Sequence, residues 1–237
     1  MSPILPRRYA LKGLTKTGPI AFLRARRERA KLRAIYRKYR NYTMVPEDSY
    51  IRNLKIAKRL KAIPGNIVEC GVWRGGMIAG IAEVLGPSRG YVLLDSFQGL
   101  PPAKEIDGAA ALAWQAESDS PNYYNNCTAP INAAQAAMCM SGADRVKIVP
   151  GWFEDTLPKI ELTQGIALLR LDSDWYDSTM TCLNRFHGQM TSGSMIVIDD
   201  YQTWDGCARA VHDFISRNQL IWRIRQLDND VCFIQLP

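Results

Sequence analysis

Histidine is scarce in this chain, with two among 237 residues. The six cysteines, at Cys70, Cys127, Cys139, Cys182, Cys207 and Cys232, include no Cys-x-x-Cys pair. A zinc site of nitrogen and sulfur ligands is therefore not expected. No run of about 18 apolar residues occurs, which excludes a transmembrane helix as an expectation. The N-terminus is charged where a secretory leader would be apolar, so the chain reads as cytoplasmic and its cysteines as reduced core residues. Neither a Gly-Lys-Ser/Thr phosphate loop nor a GxGxxG fingerprint is present.

What is present fits a globular α/β domain with decorations. An apolar fraction of 47% is ordinary for such a domain and argues against general disorder. The net charge of +7 conceals a division. Residues 1–62 carry 18 Lys/Arg against 3 Asp/Glu, whereas the remaining residues carry 12 against 20. The basicity is an N-terminal property. The acidic body argues against a nucleic-acid-binding core.

The chain divides into a basic N-terminal arm at 1–42 and a body at 43–237. Residues 1–18 read as irregular, punctuated by Pro3, Pro6, Gly13 and Gly18. Residues 20–40 read as a basic helix whose second half has a stripe of Leu32, Ile35, Tyr36 and Tyr39. The stripe makes it a packing arm or a solvated helix; a basic arm touching anionic lipid, an acidic partner or another subunit is the alternative. An Arg-rich, acid-poor start also suits an organellar transit peptide. A second helix opens at Pro46-Glu47-Asp48, carries Tyr50, Leu54, Ala57, Leu60 and Ile63 at steps of three and four, and stops at Pro64-Gly65.

From residue 66 strands and helices alternate. Strands are expected at Asn66–Cys70, Gly90–Leu94, Arg145–Val149, Ile166–Leu171 and Ser194–Ile198, the last three buried. Helices are expected at Gly75–Leu85, about Ser178–Gln189 and about Cys207–Arg217. Leu220–Leu227 and Val231–Leu236, joined by Asp228-Asn229-Asp230, read as a terminal antiparallel pair. Residues 98–143 interrupt the rhythm and read as an insertion of helix and loop over a site. Such alternation predicts a mainly parallel sheet covered on both faces.

Ligands of open α/β sheets bind beyond the carboxyl ends of the strands, and the informative residues lie there. The first strand ends in Glu69-Cys70-Gly71-Val72-Trp73-Arg74-Gly75-Gly76, whose glycines permit a tight turn and close approach of backbone to a ligand. An ordinary strand-to-helix turn would look the same. Asp95, ending the second strand, is placed to bond a ribose hydroxyl of an adenosine-containing cofactor, or to cap a turn. Trp152 and Phe153 offer an apolar wall for an adenine ring, or core packing. Asp172, Asp174, Asp199 and Asp200 end the fourth and fifth strands. Four carboxylates on neighbouring strand ends repel one another unless a cation or a protonation shift compensates. Oxygen ligands suit Mg²⁺ or Ca²⁺; helix capping would account for one or two of them. His187 and His212 lie in helices and are given no role.

With these residues in hand the chain resembles the macrocin O-methyltransferase (TylF-type) family from about Thr43 to Arg217. The motifs, in order, are Thr43-Met44-Val45, Glu69 to Gly76, Asp95-Ser96-Phe97-Gln98-Gly99-Leu100-Pro101, Gly151 to Pro158, Leu171-Asp172-Ser173-Asp174-Trp175-Tyr176 and Ile198-Asp199-Asp200-Tyr201. Where the family usually has glycine between the two aspartates of the fourth strand, this chain has Ser173. The resemblance implies a Rossmann-like class I methyltransferase fold: a mainly parallel seven-stranded sheet with an antiparallel last strand, an N-terminal helical arm and a lid insertion at 98–143. It implies S-adenosylmethionine as methyl donor and Mg²⁺ as cofactor, with Asp172, Asp199 and Asp200 as metal ligands and Asp174 as general base. Thr43, Met44, Glu69, Gly71, Asp95, Ser96, Trp152 and Phe153 would hold the methyl donor. The implied acceptor is a hydroxyl of a small molecule, a sugar on a natural product, and the implied assembly a homodimer.

Two rivals remain at this stage. Asp172-Ser173-Asp174 also matches a DxD motif, which would make the chain a metal-dependent glycosyltransferase. A non-catalytic Rossmann-like binding protein would keep the fold, though it would not need the carboxylates.

Overall fold

The computed structural model describes residues 19–226 and 231–237. The irregular segment at 1–18 and the link at 228–230 lie outside the described residues.

Helix α1 (Pro19–Tyr39) is rich in Arg, Ala, Lys and Leu, all good helix formers. Its second half is anchored: Leu32 and Tyr39 are buried and Ile35 and Tyr36 pack on the core. Residues 21–27 are exposed. Arg29 and Arg33 reach Asp48 and Glu47 at 3.6 and 2.7 Å on helix α2 (Glu47–Arg59), and Lys58 of α2 pairs with Glu28. Glu47 and Asp48 in the first turn of α2, and Lys58 and Arg59 in its last, complement the helix dipole. The stripe read for this helix is the buried one, with Tyr50, Leu54, Ala57 and Leu60 fully covered.

The sheet holds β1 (Asn66–Cys70), β2 (Gly90–Asp95), β3 (Arg145–Pro150), β4 (Ile166–Leu171), β5 (Met190–Ile198), β6 (Ile224–Gln226) and β7 (Cys232–Gln235) in the order 3-2-1-4-5-7-6. β1 to β5 are parallel, and β7 runs antiparallel to both β5 and β6. Successive strand residues alternate between two cores. Ile67, Leu93, Leu168 and Val197 face α1, α2, helix α3 (Gly76–Leu85) and helix α5 (Ile131–Ser141). Beyond the short helix α6 (Phe153–Thr156), Val68, Leu94, Leu169 and Ile198 face helices α7 (Tyr176–Phe186) and α8 (Asp205–Arg217).

Two expectations are corrected. β3 is not buried: it pairs only with β2, forms a sheet edge, and leaves Val146 37% exposed. The cysteines, all free, are not uniformly core residues, because Cys139 is exposed and Cys127 half-buried. Of the segment 98–143, α5 belongs to the core through Ala134, Ala137 and Met138. Helix α4 (Ala109–Ala116) and the turns after it instead border the site described below.

Candidate functional site

Strand order reverses between β1, which continues to β2, and β4, which continues to β5. At such a switch point the loops leaving neighbouring strands diverge and open a crevice. The chain leaves β1 through Gly71, at φ +82°. A Cβ there would stand 1.6 Å from the carbonyl oxygen of Asp172, so only glycine lets the β1 turn lie against the end of β4.

Asp95 holds this turn in place. The backbone N–H groups of Val72 and Trp73 each donate to its Oδ2 at 2.8 Å, and that of Phe97 donates to its Oδ1 at 2.6 Å. Burial pushes its pKa up, opposed by these three N–H donors. Three of about four acceptor positions of the carboxylate are thus taken by backbone, which leaves one for an outside donor. Trp73, Phe97 and Asp174, one after each of β1, β2 and β4, have φ of 48°, 55° and 55°. Left-handed backbone at non-glycine residues is uncommon and concentrates at functional sites.

Two adjoining cavities occupy the crevice. The larger, about 310 Å³, is lined by Thr43, Met44, Glu69 and Gly71 on one side and by Asp172, Asp174, Asp199 and Asp200 on the other. The smaller, about 50 Å³, is lined by Ser96, Trp152 and Phe153. Gly71, Asp95 and Asp172 border both. Every residue picked from the sequence for cofactor, metal or base therefore lies on one continuous crevice.

The acidic cluster is built on a residue that sequence reading missed. Arg170, the next-to-last residue of β4, is 1% exposed. It stands in register beside Glu69 of β1. Its Nη1 lies 2.6 Å from Glu69 Oε1 and 2.7 Å from Asp172 Oδ2, and its Nη2 lies 2.6 Å from Asp199 Oδ1. Its Nε donates to Asn53 Oδ1 of α2 at 3.4 Å. One guanidinium fork thus faces three carboxylates, a geometry that lysine could not supply. Its sequence signal was a lone arginine inside the apolar run Ile166–Leu171.

One positive charge does not neutralise this group. Donor oxygens of Asp172, Asp199 and Asp200 lie within 4.8 Å of one another. Burial, with the charge of Asp172 next, raises Asp174 to about 8. Burial raises Asp199 to about 6 against the pull of Arg170, and pushes Asp200 well up, aided by Asp174. Glu69 is raised to about 8 by burial despite its ion pair. Its Oε2 is buried without a partner, as is the indole Nε1 of Trp73. Asp174 accepts from Trp204 Nε1 at 2.9 Å, and its backbone N–H donates to Asp200 at 3.1 Å. Ser173, between the two aspartates after β4, shares a hydrogen bond of 3.0 Å with the hydroxyl of Thr179 of α7.

The rim beyond the carboxylates is aromatic. Trp114 of α4 packs against Trp204 and Trp175, with ring centroids 5.9 and 6.2 Å away. Next to it Tyr124, Asn125, Asn126 and Cys127 have φ between 50° and 60° and form a turn of left-handed helix. Asn126 fastens this turn: its Nδ2 donates to Leu100 O at 2.8 Å and its Oδ1 accepts from Gln115 at 3.1 Å. The two histidines lie elsewhere, His212 against Tyr201 and His187 against Leu183 O and Phe214.

A sheet of this order, reversed in β7, with a glycine turn after β1 and carboxylates after β2, β4 and β5, has the Rossmann-like fold of class I O-methyltransferases. The fit to the solved structure of the O-methyltransferase NovP has a TM-score of 0.70 at 25% identity, over 82% of each chain. The family model of macrocin-O-methyltransferase (TylF) matches residues 14–235, and the chain belongs to that family. It is 34% identical over 177 residues to the 8-demethyl-8-(2,3-dimethoxy-alpha-L-rhamnosyl)-tetracenomycin-C 4'-O-methyltransferase of Streptomyces olivaceus, covering 72% of this chain and 66% of that protein. It is 31% identical over 174 residues to the mycinamicin III 3''-O-methyltransferase of Micromonospora griseorubida, covering 70% and 66%. The matched part thus spans just under two thirds of these relatives' own length. Family membership sets aside the glycosyltransferase reading of Asp172-Ser173-Asp174.

Proposed function

We propose that this protein transfers the methyl group of S-adenosylmethionine to a hydroxyl of a small molecule, a sugar of a natural product, with a divalent cation beside the acceptor oxygen. One observation carries the reading. The cavity walled by Glu69, Gly71 and Thr43 is the same one into which four aspartates project, so a methyl donor and a metal-held hydroxyl would meet in it. The relatives named above act on sugar-bearing natural products by their names, which supports the acceptor class.

The residues fit both groups. Glu69 Oε2, buried and unpartnered on the cavity wall, suits the ammonium of the donor's methionine part. Asp95 keeps one acceptor position for a ribose hydroxyl, while Ser96, Trp152 and Phe153 line the smaller cavity where an adenine ring would lie. Three carboxylate oxygens within 4.8 Å of one another, from Asp172, Asp199 and Asp200, are a hard-oxygen donor set suited to Mg²⁺. A cation held there would supply Lewis acidity that lowers the pKa of an alcohol and fixes its oxygen.

The chain's own residues do the rest. Asp174 takes the hydroxyl proton as the oxygen–methyl bond forms and the sulfur–methyl bond breaks. Its backbone N–H to Asp200 and its bond from Trp204 hold it beside the metal ligands. Trp114 and Trp204 line the cavity where the acceptor would lie. Alignment of oxygen, methyl and sulfur supplies much of the acceleration. A homodimer is the assembly we propose on the family's habit. Calorimetric titration with S-adenosylhomocysteine, with and without Mg²⁺, tests the reading. Saturable binding is expected in both conditions, and its absence in both would remove the proposal.

A further inference from the structure

The first half of α1 has no part in the crevice. Phe22 and Leu23 are 62% and 51% exposed, and residues 21–27 have no core beneath them. The first buried side chain is Leu32. At 1.5 Å per residue it lies about 14 Å along the helix from Leu23. Between them stand Arg24, Arg26, Arg27, Arg29 and Lys31, with Glu28 the single acid. Glu28 is engaged by Lys58, and among these five cations only Arg29 has an acidic partner in the described residues.

At 100° per residue, positions 24, 26, 27, 29 and 31 fall at about 0°, 200°, 300°, 140° and 340° around the axis. Arg29 faces Asp48 of α2, and the four others share an arc of about 160° that also holds Leu23, with Phe22 near its edge. A nucleic-acid duplex would match the cations but leave Phe22 and Leu23 in water. A lipid headgroup layer offers phosphates to that arc, and beneath it lies an apolar layer for the two side chains. We infer that the exposed half of α1 docks the protein on an anionic membrane surface, with Phe22 and Leu23 entering the bilayer boundary and the free cations among the lipid phosphates.

The projection also eases an electrostatic conflict. The body beyond residue 62 carries eight more acidic than basic residues and would be repelled by such a surface. Glu28 and Arg29 already pair with α2, so Leu23 stands about 8 Å beyond that contact along the helix, close to the screening length at physiological salt. Residues 1–18 add Arg7, Arg8, Lys12 and Lys16 and no acid to the same end of the chain.

The test is flotation of the full-length protein with phosphatidylcholine vesicles, with or without phosphatidylglycerol, at low and high salt. Binding is expected only with phosphatidylglycerol and is weakened by salt. Each basic residue near an anionic surface contributes roughly fivefold, so the triple variant Arg24→Gln, Arg26→Gln, Arg27→Gln is expected to bind about a hundredfold more weakly. Phe22→Ser with Leu23→Ser is expected to lose about tenfold or more. Both variants should bind S-adenosylhomocysteine as the wild type does, which separates docking from misfolding. Equal binding to vesicles without phosphatidylglycerol, or variants that float as well as the wild type, would overturn the inference. So would lipid-free self-association that disappears in the Phe22/Leu23 variant, because the patch would then cover a second copy of the chain.

Discussion

Asp199→Ala is expected to abolish methyl transfer while S-adenosylhomocysteine binding stays within about threefold of the wild type. The division follows from where Asp199 stands. It ends β5, with Asp172 and Asp200 within 4.8 Å, whereas the proposed donor contacts at Glu69, Asp95 and Ser96 come from β1 and β2. Losing one of three carboxylate ligands would remove the cation and the acidity it lends the acceptor. Lewis-acid stabilisation is worth several kcal/mol, so at one tenfold per about 1.4 kcal/mol the rate should fall on the order of a thousandfold. Glu69 keeps its partner, because Arg170 reaches it through Nη1 while Asp199 is met by Nη2. Turnover and calorimetry on one preparation provide the check. An equal loss of both would sink the division of labour between β5 and β1.

Arg170→Met is expected to be the most destabilising single substitution in the site. Methionine fills the volume but leaves Glu69, Asp172 and Asp199 facing one another without their shared cation. Breaking a buried ion pair from one side typically costs about 3–5 kcal/mol. For a chain of this size that corresponds to a fall in Tm on the order of 10 °C. The loss should shrink when Mg²⁺ is added, since a cation among Asp172, Asp199 and Asp200 would replace part of the missing charge. Arg170→Lys should fall between, keeping the charge but not the fork. Thermal unfolding of the three proteins with and without Mg²⁺ would decide. An Arg170→Met protein as stable as the wild type would mean that the carboxylates balance one another without it.

Much of this architecture is legible residue by residue. The stripe Tyr50, Leu54, Ala57, Leu60 identifies α2 because a helix buries one face, and seven apolar runs mark the seven strands. The strand-end carboxylates stand out because an acidic pair at the end of a buried run has few structural uses. The edge position of β3 escaped because Val146, Ile148 and Val149 look like a buried strand. Apolar content in one dimension does not reveal how many neighbours a strand has, and pairing is decided by the crossovers. Arg170 escaped for the opposite reason: a charge inside an apolar run is explained only by partners 101 residues away on β1 and on β5. The clasp of Asp95 on the β1 turn has the same character. Its place at the strand end could be read, but its three N–H donors depend on how two loops meet. The faint sign of the left-handed turn was the pair Asn125-Asn126, since asparagine tolerates that conformation best after glycine.

That turn has a consequence for admission to the crevice. Tyr124 to Cys127 are held in a conformation each L-residue disfavours by roughly 1–2 kcal/mol, and the anchors of Asn126 to Leu100 and Gln115 keep them there. Once those anchors let go, the backbone bonds of the turn are left to oppose the release of that strain. The rim beside Trp114 would open by coming undone, and its width would be set by how much chain is released rather than by the size of any one side chain. The amide hydrogens of Asn126, Cys127 and Thr128, bonded within the turn, are expected to exchange with solvent well before those of the sheet. On the proposed reading S-adenosylhomocysteine binds below the rim and should slow them. An entrance of that kind sorts its visitors by dwell time more than by shape, and a bulky glycoside could enter where a rigid ring of aromatics would turn it away.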